Sequence, residues 1–89
     1  FTALARLKLT GNAIADSTAL ASLPALRELA LDANRMTTAE PLLGVQTLAF
    51  LDLRDNERLD CSAAATLATR PTLDVRLPAQ CRDGAGAKE

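Results

Sequence analysis

The chain has 89 residues, and its 10 basic and 11 acidic residues are interspersed and give a net charge of −1. This length allows one domain, and the lack of a clustered basic stretch argues against a nucleic-acid partner. No apolar run approaches the roughly 18 residues that a membrane-spanning helix requires. Seventeen leucines and eighteen alanines, beside two phenylalanines and no tryptophan or tyrosine, predict a core of thin layers rather than one large centre.

A fixed spacing relates three segments of the sequence. In the segment from Leu26 to Asn34, leucine occupies the first, fourth and sixth positions and asparagine the ninth. The same residue types recur 22 positions earlier and 22 later, in the sets Leu4, Leu7, Leu9, Asn12 and Leu48, Leu51, Leu53, Asn56. A fixed period of this length is typical of a solenoid, in which each unit buries its apolar face against the next.

The pattern L-x-x-L-x-L-x-x-N resembles that of the leucine-rich repeat family, and the resemblance covers most of the chain. The 22-residue length is similar to the short repeats of bacterial internalins. The resemblance implies an α/β fold: a right-handed solenoid of about three and a half repeats, with a short parallel sheet on its concave face and helical turns on its convex face. It also implies a protein partner that binds the concave sheet.

Alternating residues within each unit predict a short strand with one buried side. In the second unit, Leu29 and Leu31 point to the core, and the residues beside them point outward. The asparagine follows where the chain turns away from the sheet and leaves backbone amides and carbonyls in need of partners. Because an amide side chain both donates and accepts, Asn12, Asn34 and Asn56 are predicted to satisfy these groups as a stacked ladder.

The segment after the first strand is predicted to form a short helical turn. Ile14 is expected to anchor it in the core, and either Asp16 or Ser17 is a candidate cap for a turn over Thr18–Ser22. Pro24 would end this turn and direct the chain into the second strand.

The second unit is predicted to follow the same course. Met36 takes the place of the core anchor, and Thr37 with Glu40 has the spacing of a capping box. Gly44 is expected to end the turn in a left-handed conformation.

The third unit departs from the spacing, because Leu59 stands one residue late. The alanine-rich run Asp60–Thr69 predicts a helix that begins at Asp60 or Ser62. A last strand is expected over Leu73–Leu77, followed by a polar end that terminal repeats present to water.

In this last unit only Val75 and Leu77 occupy core positions, and Gln80 replaces the asparagine. The unit therefore reads as a degraded repeat that closes the array. The predicted organisation is leucine-rich repeats over residues 1–56, a degraded last repeat and C-terminal cap over 57–81, and a flexible tail over 82–89.

Cys61 and Cys81 flank the degraded unit, and a disulfide between them would add roughly 3 kcal/mol in the chain-entropy model. The alternatives are two unrelated buried thiols and a redox or catalytic pair. The absence of Cys-x-x-Cys spacing and of histidine argues against the redox or catalytic pair. The arrangement resembles the disulfide-closed C-terminal caps of extracellular leucine-rich repeat proteins, which usually have four cysteines. A disulfide predicts an extracytoplasmic location, which is secreted, periplasmic or on the cell surface.

The outward positions of the predicted strands form three rows across the sheet. These rows are Arg6, Glu28, Phe50, Asp74; Lys8, Ala30, Asp52, Arg76; and Thr10, Asp32, Arg54, Pro78. Neighbouring strands lie about 4.8 Å apart, so opposite charges are expected to face one another across the sheet. The expected pairs are Arg6 with Glu28, Asp52 with Arg76, and Asp32 with Arg54.

Phe50 is expected to point outward from a strand whose flanking leucines point inward. It either covers the aliphatic parts of its neighbours or forms the centre of a contact surface. On the second interpretation, Phe50→Ala weakens partner binding by at least ~2 kcal/mol and leaves the fold intact. The candidate binding residues are Phe50, Arg6, Lys8, Glu28, Asp52, Arg54 and Arg76.

No catalytic residue, metal ligand or cofactor is predicted. The sequence has no histidine, no glycine-rich phosphate loop and no nucleophile with a partner base. Arginines interrupt the acidic residues between positions 52 and 60, which lack the spacing of a calcium loop. These features favour a non-catalytic protein-interaction module.

The alternative is a structural C-terminal capping segment or subunit of a larger repeat protein or assembly, with no ligand of its own. The first repeat places Phe1, Leu4 and Leu7 at an end where an apolar layer is expected to be exposed. Further repeats, another domain or another subunit are expected to cover that end, and a chain that opens at Phe1 reads as a fragment or a processed form.

Overall fold

The computed structural model describes residues 5–23 and 25–82. In these residues, four short strands form one parallel sheet in the order β1-β2-β3-β4. The strands are β1, Arg6–Lys8; β2, Glu28–Ala30; β3, Phe50–Asp52; and β4, Asp74–Arg76. The helical elements are two 3₁₀ helices, Thr18–Ser22 and Glu40–Gly44, and two α-helices, α1, Cys61–Ala68, and α2, Ala79–Arg82. The predicted α/β class, with a parallel sheet and short helical turns, is confirmed.

The register of the sheet follows the spacing of the leucines. Leu7 pairs with Leu29, and Leu29 pairs with Leu51, so that each step equals the period of the sequence. Val75 lies opposite Leu51, and this longer step matches the displaced last strand. Because parallel neighbours require a crossover connection, each intervening segment returns over the apolar side of the sheet before the next strand begins.

The core lies on one side of the sheet, between the strands and the connecting segments. Its large aliphatic side chains that are fully buried are Leu26, Leu29, Leu31, Met36, Leu42, Leu51, Leu53 and Leu67. In the first unit, Leu7, Leu9 and Ile14 pack against this core but are only partly buried. Full burial of a leucine contributes about 1.5–3 kcal/mol, so the layers around β2 and β3 supply most of the hydrophobic stabilisation.

Ser17 occupies the N-cap position of the first 3₁₀ helix, but Asp16 and not Ser17 supplies the side-chain acceptor. The carboxylate of Asp16 accepts hydrogen bonds from the hydroxyl and the amide of Thr18, at 2.5 and 2.9 Å, and these two bonds lower its pKa. Ser17 is 1% exposed, and its hydroxyl has no partner among the described residues. Ala39, at the equivalent position of the second unit, is also buried, so this position faces the core in both units. The predicted stop at Pro24 lies outside the described residues.

The second 3₁₀ helix lacks the predicted capping box. The helix begins at Glu40, whose amide donates to the hydroxyl of Thr38 at 3.1 Å. Glu40 therefore occupies the first helical position and not the third, and Thr37 lies too far ahead of the helix to form the box. Gly44 is not left-handed as predicted, because the chain leaves the helix through extended backbone at Val45.

The left-handed backbone conformation occurs instead directly before each asparagine. Gly11, Ala33 and Asp55 have φ values of 74°, 58° and 61°. These residues occupy equivalent positions of the three units, so the same turn recurs after β1, β2 and β3. Only the glycine adopts the conformation without steric cost, which is roughly 1–2 kcal/mol for another residue. Ala13, with φ of 56°, is also left-handed.

Helix α1 begins at Cys61, directly after the predicted cap Asp60, whose side chain accepts from the amide of Ser62 at 3.0 Å. After the helix, the guanidinium of Arg70 donates to the carbonyls of Leu43 and Val45. These bonds satisfy carbonyls at the end of the second 3₁₀ helix and connect it to the third unit. The sequence pattern does not indicate this contact.

Candidate functional site

Asn34 connects the first two units through its side chain. Its Oδ1 accepts from the amides of Asn12 and Ile14, at 2.8 and 2.9 Å. Its Nδ2 donates to the carbonyl of Leu9 at 3.0 Å and to the carbonyl of Leu31 at 2.9 Å. One amide group therefore satisfies both sides of the turn, as a ladder requires.

Asn56 repeats this arrangement one unit later. Its Oδ1 accepts from the amide of Met36 at 2.9 Å, and its Nδ2 donates to the carbonyl of Leu31 at 3.0 Å. Asn56 is fully buried, whereas Asn12 is exposed and donates only to carbonyls of its own unit within the described residues. The ladder is therefore most enclosed between the second and third units.

Cys61 and Cys81 form a disulfide, with Cα atoms 5.4 Å apart. The bond joins the start of α1 to α2, so the predicted covalent closure of the last unit is confirmed. Gln80, beside the second cysteine, donates to the backbone carbonyl of Asn56 at 2.8 Å. The disulfide between Cys61 and Cys81 closes the last unit and is consistent with an oxidising location.

The side of the sheet opposite the core carries the predicted binding residues, and we refer to it as the open face. Strand register gives it a first row of Arg6, Glu28, Phe50 and Asp74, and a second row of Lys8, Ala30, Asp52 and Arg76. The predicted third row is wrong at its end, because Pro78 is fully buried. β4 ends at Arg76 and α2 begins at Ala79, so the chain has already turned toward the core at Pro78.

Ion pairs on the open face differ in part from the prediction. The pairs formed by the described residues are Arg6–Glu28 at 3.5 Å, Arg54–Asp52 at 2.8 Å and Arg76–Asp74 at 3.5 Å. The first pair is as predicted, but Asp52 with Arg76 and Asp32 with Arg54 are not formed. Residues i and i+2 share a face of a strand and lie about 6.6 Å apart, within the reach of arginine. Both arginines therefore bind carboxylates two residues before them in sequence.

Asp52 is a buried charge on the open face, with 4% of its surface exposed. Arg54 donates to it through Nε at 3.0 Å, Nη2 at 2.8 Å and the backbone amide at 3.1 Å. Burial acts to raise the pKa of Asp52, but the hydrogen bonds and charge of Arg54, with the charge of Arg76, outweigh it and lower the pKa. The same pairing raises the pKa of Arg54. The pair is therefore a satisfied structural unit.

Phe50 lies half-buried in the middle of the first row. The guanidinium carbon of Arg76 is 5.8 Å from the centroid of its ring, a distance at which a cation–π interaction is favourable. The ring thus contacts a neighbouring cation on one side. Part of its surface is exposed to solvent and is accessible to a partner.

A shallow depression of about 550 Å³ extends over β1, β2 and β3 on the open face. Six of the seven candidate binding residues line it: Arg6, Lys8, Glu28, Phe50, Asp52 and Arg54. The seventh, Arg76, lies beside the depression against the ring of Phe50. Ala30, Thr10 and Asp32 also line it and are absent from the predicted set, although their positions in the rows could have identified them.

A second depression, of about 720 Å³, lies beside the asparagine turns. It contains the acidic residues Asp55 and Glu57 together with Arg35 and Arg58. Within residues 5–23 and 25–82, no three acidic or cysteine side chains are grouped so that they could hold a metal ion. This depression therefore has mixed charge and no donor set for a metal.

No protein-family model, curated protein or solved structure matches this chain. None of the helices in the described ranges combines the length and apolar character that crossing a membrane requires. The function is therefore inferred from the residues and their arrangement.

Proposed function

We propose that the chain is a leucine-rich repeat solenoid that binds a protein partner, without catalysis, through the concave face of its sheet. In this proposal, the open face is the concave face of the solenoid. Support comes from the 22-residue register of the strands and from asparagine side chains that bind the preceding unit. An extracytoplasmic location is part of the proposal and is supported by the disulfide.

The observation that carries the proposal is the accessible ring of Phe50 in a depression that charged side chains also line. Protein interfaces commonly combine a central aromatic or arginine side chain with a polar rim. Phe50 and Arg76 provide such a centre, and exposed Glu28, which pairs with Arg6, lies next to Phe50 on the adjacent strand. Charges of both signs on this face favour a protein partner over a polyanion.

A comparison of two variants tests the proposal. Partners are captured on the oxidised full chain and identified, and affinities are then measured for wild type, Phe50→Ala and Arg58→Ala. Phe50→Ala is expected to weaken binding by at least ~2 kcal/mol, about 30-fold, whereas Arg58→Ala, which lies off the open face, is expected to have no effect. Equal affinities of wild type and Phe50→Ala, with both chains folded by circular dichroism, would refute the proposal.

A second candidate function is that of a structural end segment, favoured by the incomplete contacts of Asn12. Asn34 and Asn56 each donate to a carbonyl of the preceding unit, whereas Asn12 donates only to Leu9 and Thr10 of its own unit in the described residues. A further unit on the β1 side would complete this contact. Insertion of a copy of residues 26–47 before Leu4 is then expected to raise the thermal midpoint, because stacking adds an interface.

A further inference from the structure

The outer edge of β4 is a strand edge without a neighbour in the described part of the chain. The amide of Asp74 donates to the carbonyl of Ala49 at 3.0 Å, on the side of β3. The carbonyl of Arg76 accepts from the amide of Leu53 at 2.8 Å, on the same side. Because backbone groups alternate between the two sides of a strand, the amide and carbonyl of Val75 point away from β3. No described strand lies beyond β4, and α2 packs on α1 rather than on β4, so these groups are available to another strand.

The side chains of this edge are also less covered than those of the strand beside it. Val75 and Leu77 are partly exposed, whereas Leu51 and Leu53, at the equivalent positions of the third unit, are fully buried. On the open face, the two charged side chains of β4 are each more than half exposed. A further strand at this edge would therefore cover apolar surface on the core side and lie beside charged groups on the open face.

Charge selects a second copy of β4 as the strand that fits this edge. When two β4 strands run antiparallel about Val75, Asp74 of each copy lies opposite Arg76 of the other, which gives two pairs of opposite charge. The other edge strand, β1, carries Arg6 and Lys8. Alignment of β4 with β1 in either direction gives one pair of opposite charges and one pair of like charges. Two copies of β1 would place cations opposite cations, which protects an edge from self-association.

The backbone geometry agrees with the same arrangement. Residues of an antiparallel pair alternate between those that exchange two backbone hydrogen bonds and those that exchange none. Val75, whose amide and carbonyl point outward, then exchanges both bonds with its copy. Asp74 and Arg76 form the closer pairs, with Cα atoms about 4.5 Å apart, whereas residues two apart on one strand are separated by about 6.6 Å. The ion pair within each strand is thus exchanged for pairs between copies, and no charge is left unmatched.

We propose that two copies of this chain associate through β4 as an antiparallel, two-fold symmetric dimer. The four strands of each copy continue into one sheet, with both open faces on the same side. On the core side, Leu77 lies opposite Leu73 of the other copy. This inference goes beyond the proposed function, because it assigns a sheet edge and leaves the open face to the partner. Such short strands bury less area than a standard interface of about 1,600 Å², so the association is reversible.

Sedimentation equilibrium of the oxidised full chain, at concentrations from about 10 μM to about 1 mM, tests the inference. Wild type is expected to show a monomer–dimer equilibrium. Asp74→Arg and Arg76→Asp each place like charges opposite one another, and each is expected to raise the dimer Kd at least about tenfold. An equimolar mixture of these two variants is expected to regain a dimer within about threefold of the wild-type Kd, because opposite charges again face across the axis. Arg58→Glu, a charge reversal away from the sheet edge, is expected to alter the Kd less than about twofold.

A double variant makes the test independent of the stability of the single variants. Asp74→Arg combined with Arg76→Asp restores both pairs of opposite charge and is expected to dimerise like wild type. A wild-type chain that is monomeric at about 1 mM would overturn the inference, and so would dimers that persist in both single variants. Variants that associate no better mixed than alone, with circular dichroism showing that they are folded, would overturn the antiparallel register. None of these measurements involves Phe50 or a captured partner, so their failure would leave the proposed function to its own test.

Discussion

Replacement of Asn56 by alanine is expected to destabilise the chain strongly, because this side chain is the most enclosed member of the asparagine ladder. It is fully buried, accepts from the amide of Met36 at 2.9 Å, and donates to the carbonyls of Leu31 at 3.0 Å and Leu53 at 2.9 Å. A further bond reaches the carbonyl of Arg54 at 3.2 Å. Alanine removes all four hydrogen bonds and leaves the amide of Met36 without its acceptor.

The expected loss follows from the cost of unpartnered buried groups. A buried donor without an acceptor costs about 1–3 kcal/mol, and the carbonyls add to it, so about 3 kcal/mol is expected for Asn56→Ala. Asn34→Ala removes five bonds at a site that is 7% exposed, and a loss of about 2–3 kcal/mol is expected. Asn12 is exposed and binds only nearby carbonyls, so Asn12→Ala is expected to cost less than about 1 kcal/mol.

Urea unfolding of the oxidised chains, followed by far-ultraviolet circular dichroism, measures these differences. Small domains are stable by about 0.05–0.15 kcal/mol per residue, so a loss of about 3 kcal/mol should move the midpoint by a large fraction of its value. The Asn12→Ala chain is the matched control. An Asn56→Ala chain that is no less stable than this control would show that water or other groups satisfy the backbone, and the ladder would then have no role in stability.

Ser17→Ala is expected to raise the free energy of unfolding by about 1 kcal/mol, because it removes a buried hydroxyl without a partner in the described residues. A lower urea midpoint would show that the hydroxyl is bonded. Replacing both Cys61 and Cys81 by serine is expected to lower the free energy of unfolding by roughly 3 kcal/mol, since the bridged cysteines are 20 residues apart in sequence. Reduction of the wild-type chain should give a similar loss, and an unchanged midpoint on reduction would contradict the expectation. Asp52→Asn is expected to flatten the decline of stability below about pH 4. The pKa of Asp52 is lowered from 3.8 by folding, so its stabilisation is present above that pH and is lost as the pH falls through the lower folded value. Thermal midpoints of wild type and Asp52→Asn at pH 7 and pH 3 measure this difference. An equal drop in the midpoint of the two chains between these pH values would refute the expectation.

Sheet order and register are predictable from the leucines alone. A shift of one residue would turn the buried side chain of each strand outward, so the pattern fixes which residues pair. The column Leu7, Leu29 and Leu51 follows directly from the 22-residue spacing. The later step to Val75 is predictable as well, because the sequence gains residues around the helix that precedes it.

The turn before each asparagine illustrates a feature that the pattern conceals. Ala33 and Asp55 adopt positive φ, although neither residue type indicates it strongly. Gly11 occupies the same place in the first unit, and comparison of the units would have identified the left-handed position. The sequence analysis placed that conformation at Gly44 because a glycine near a helix end often has it, but here the helix ends in extended backbone.

The charge pairing on the open face is not determined by the pattern. Arg54 has one carboxylate across the sheet at Asp32 and another two residues before it at Asp52, and both distances are within its reach. Pairing with Asp52 gives three hydrogen bonds from Arg54 to a nearly buried carboxylate. The arrangement of outward residues in rows does not reveal this burial. Side-chain conformation, and not spacing, decides between them.

This pairing also decides which residues can separate binding from folding. Asp52 and Arg54 were both candidate binding residues, but Asp52 is buried and Arg54 supplies its hydrogen bonds. Replacing Arg54 leaves the buried carboxylate without its side-chain donors, and replacing Asp52 removes three hydrogen bonds, so either change destabilises the fold itself. Lys8 has no such partner among the described residues, and Phe50 keeps part of its ring exposed. A loss of affinity at Lys8 or Phe50, with the urea midpoint unchanged, therefore reports on the interface, whereas the same loss at Asp52 would reflect unfolding as well.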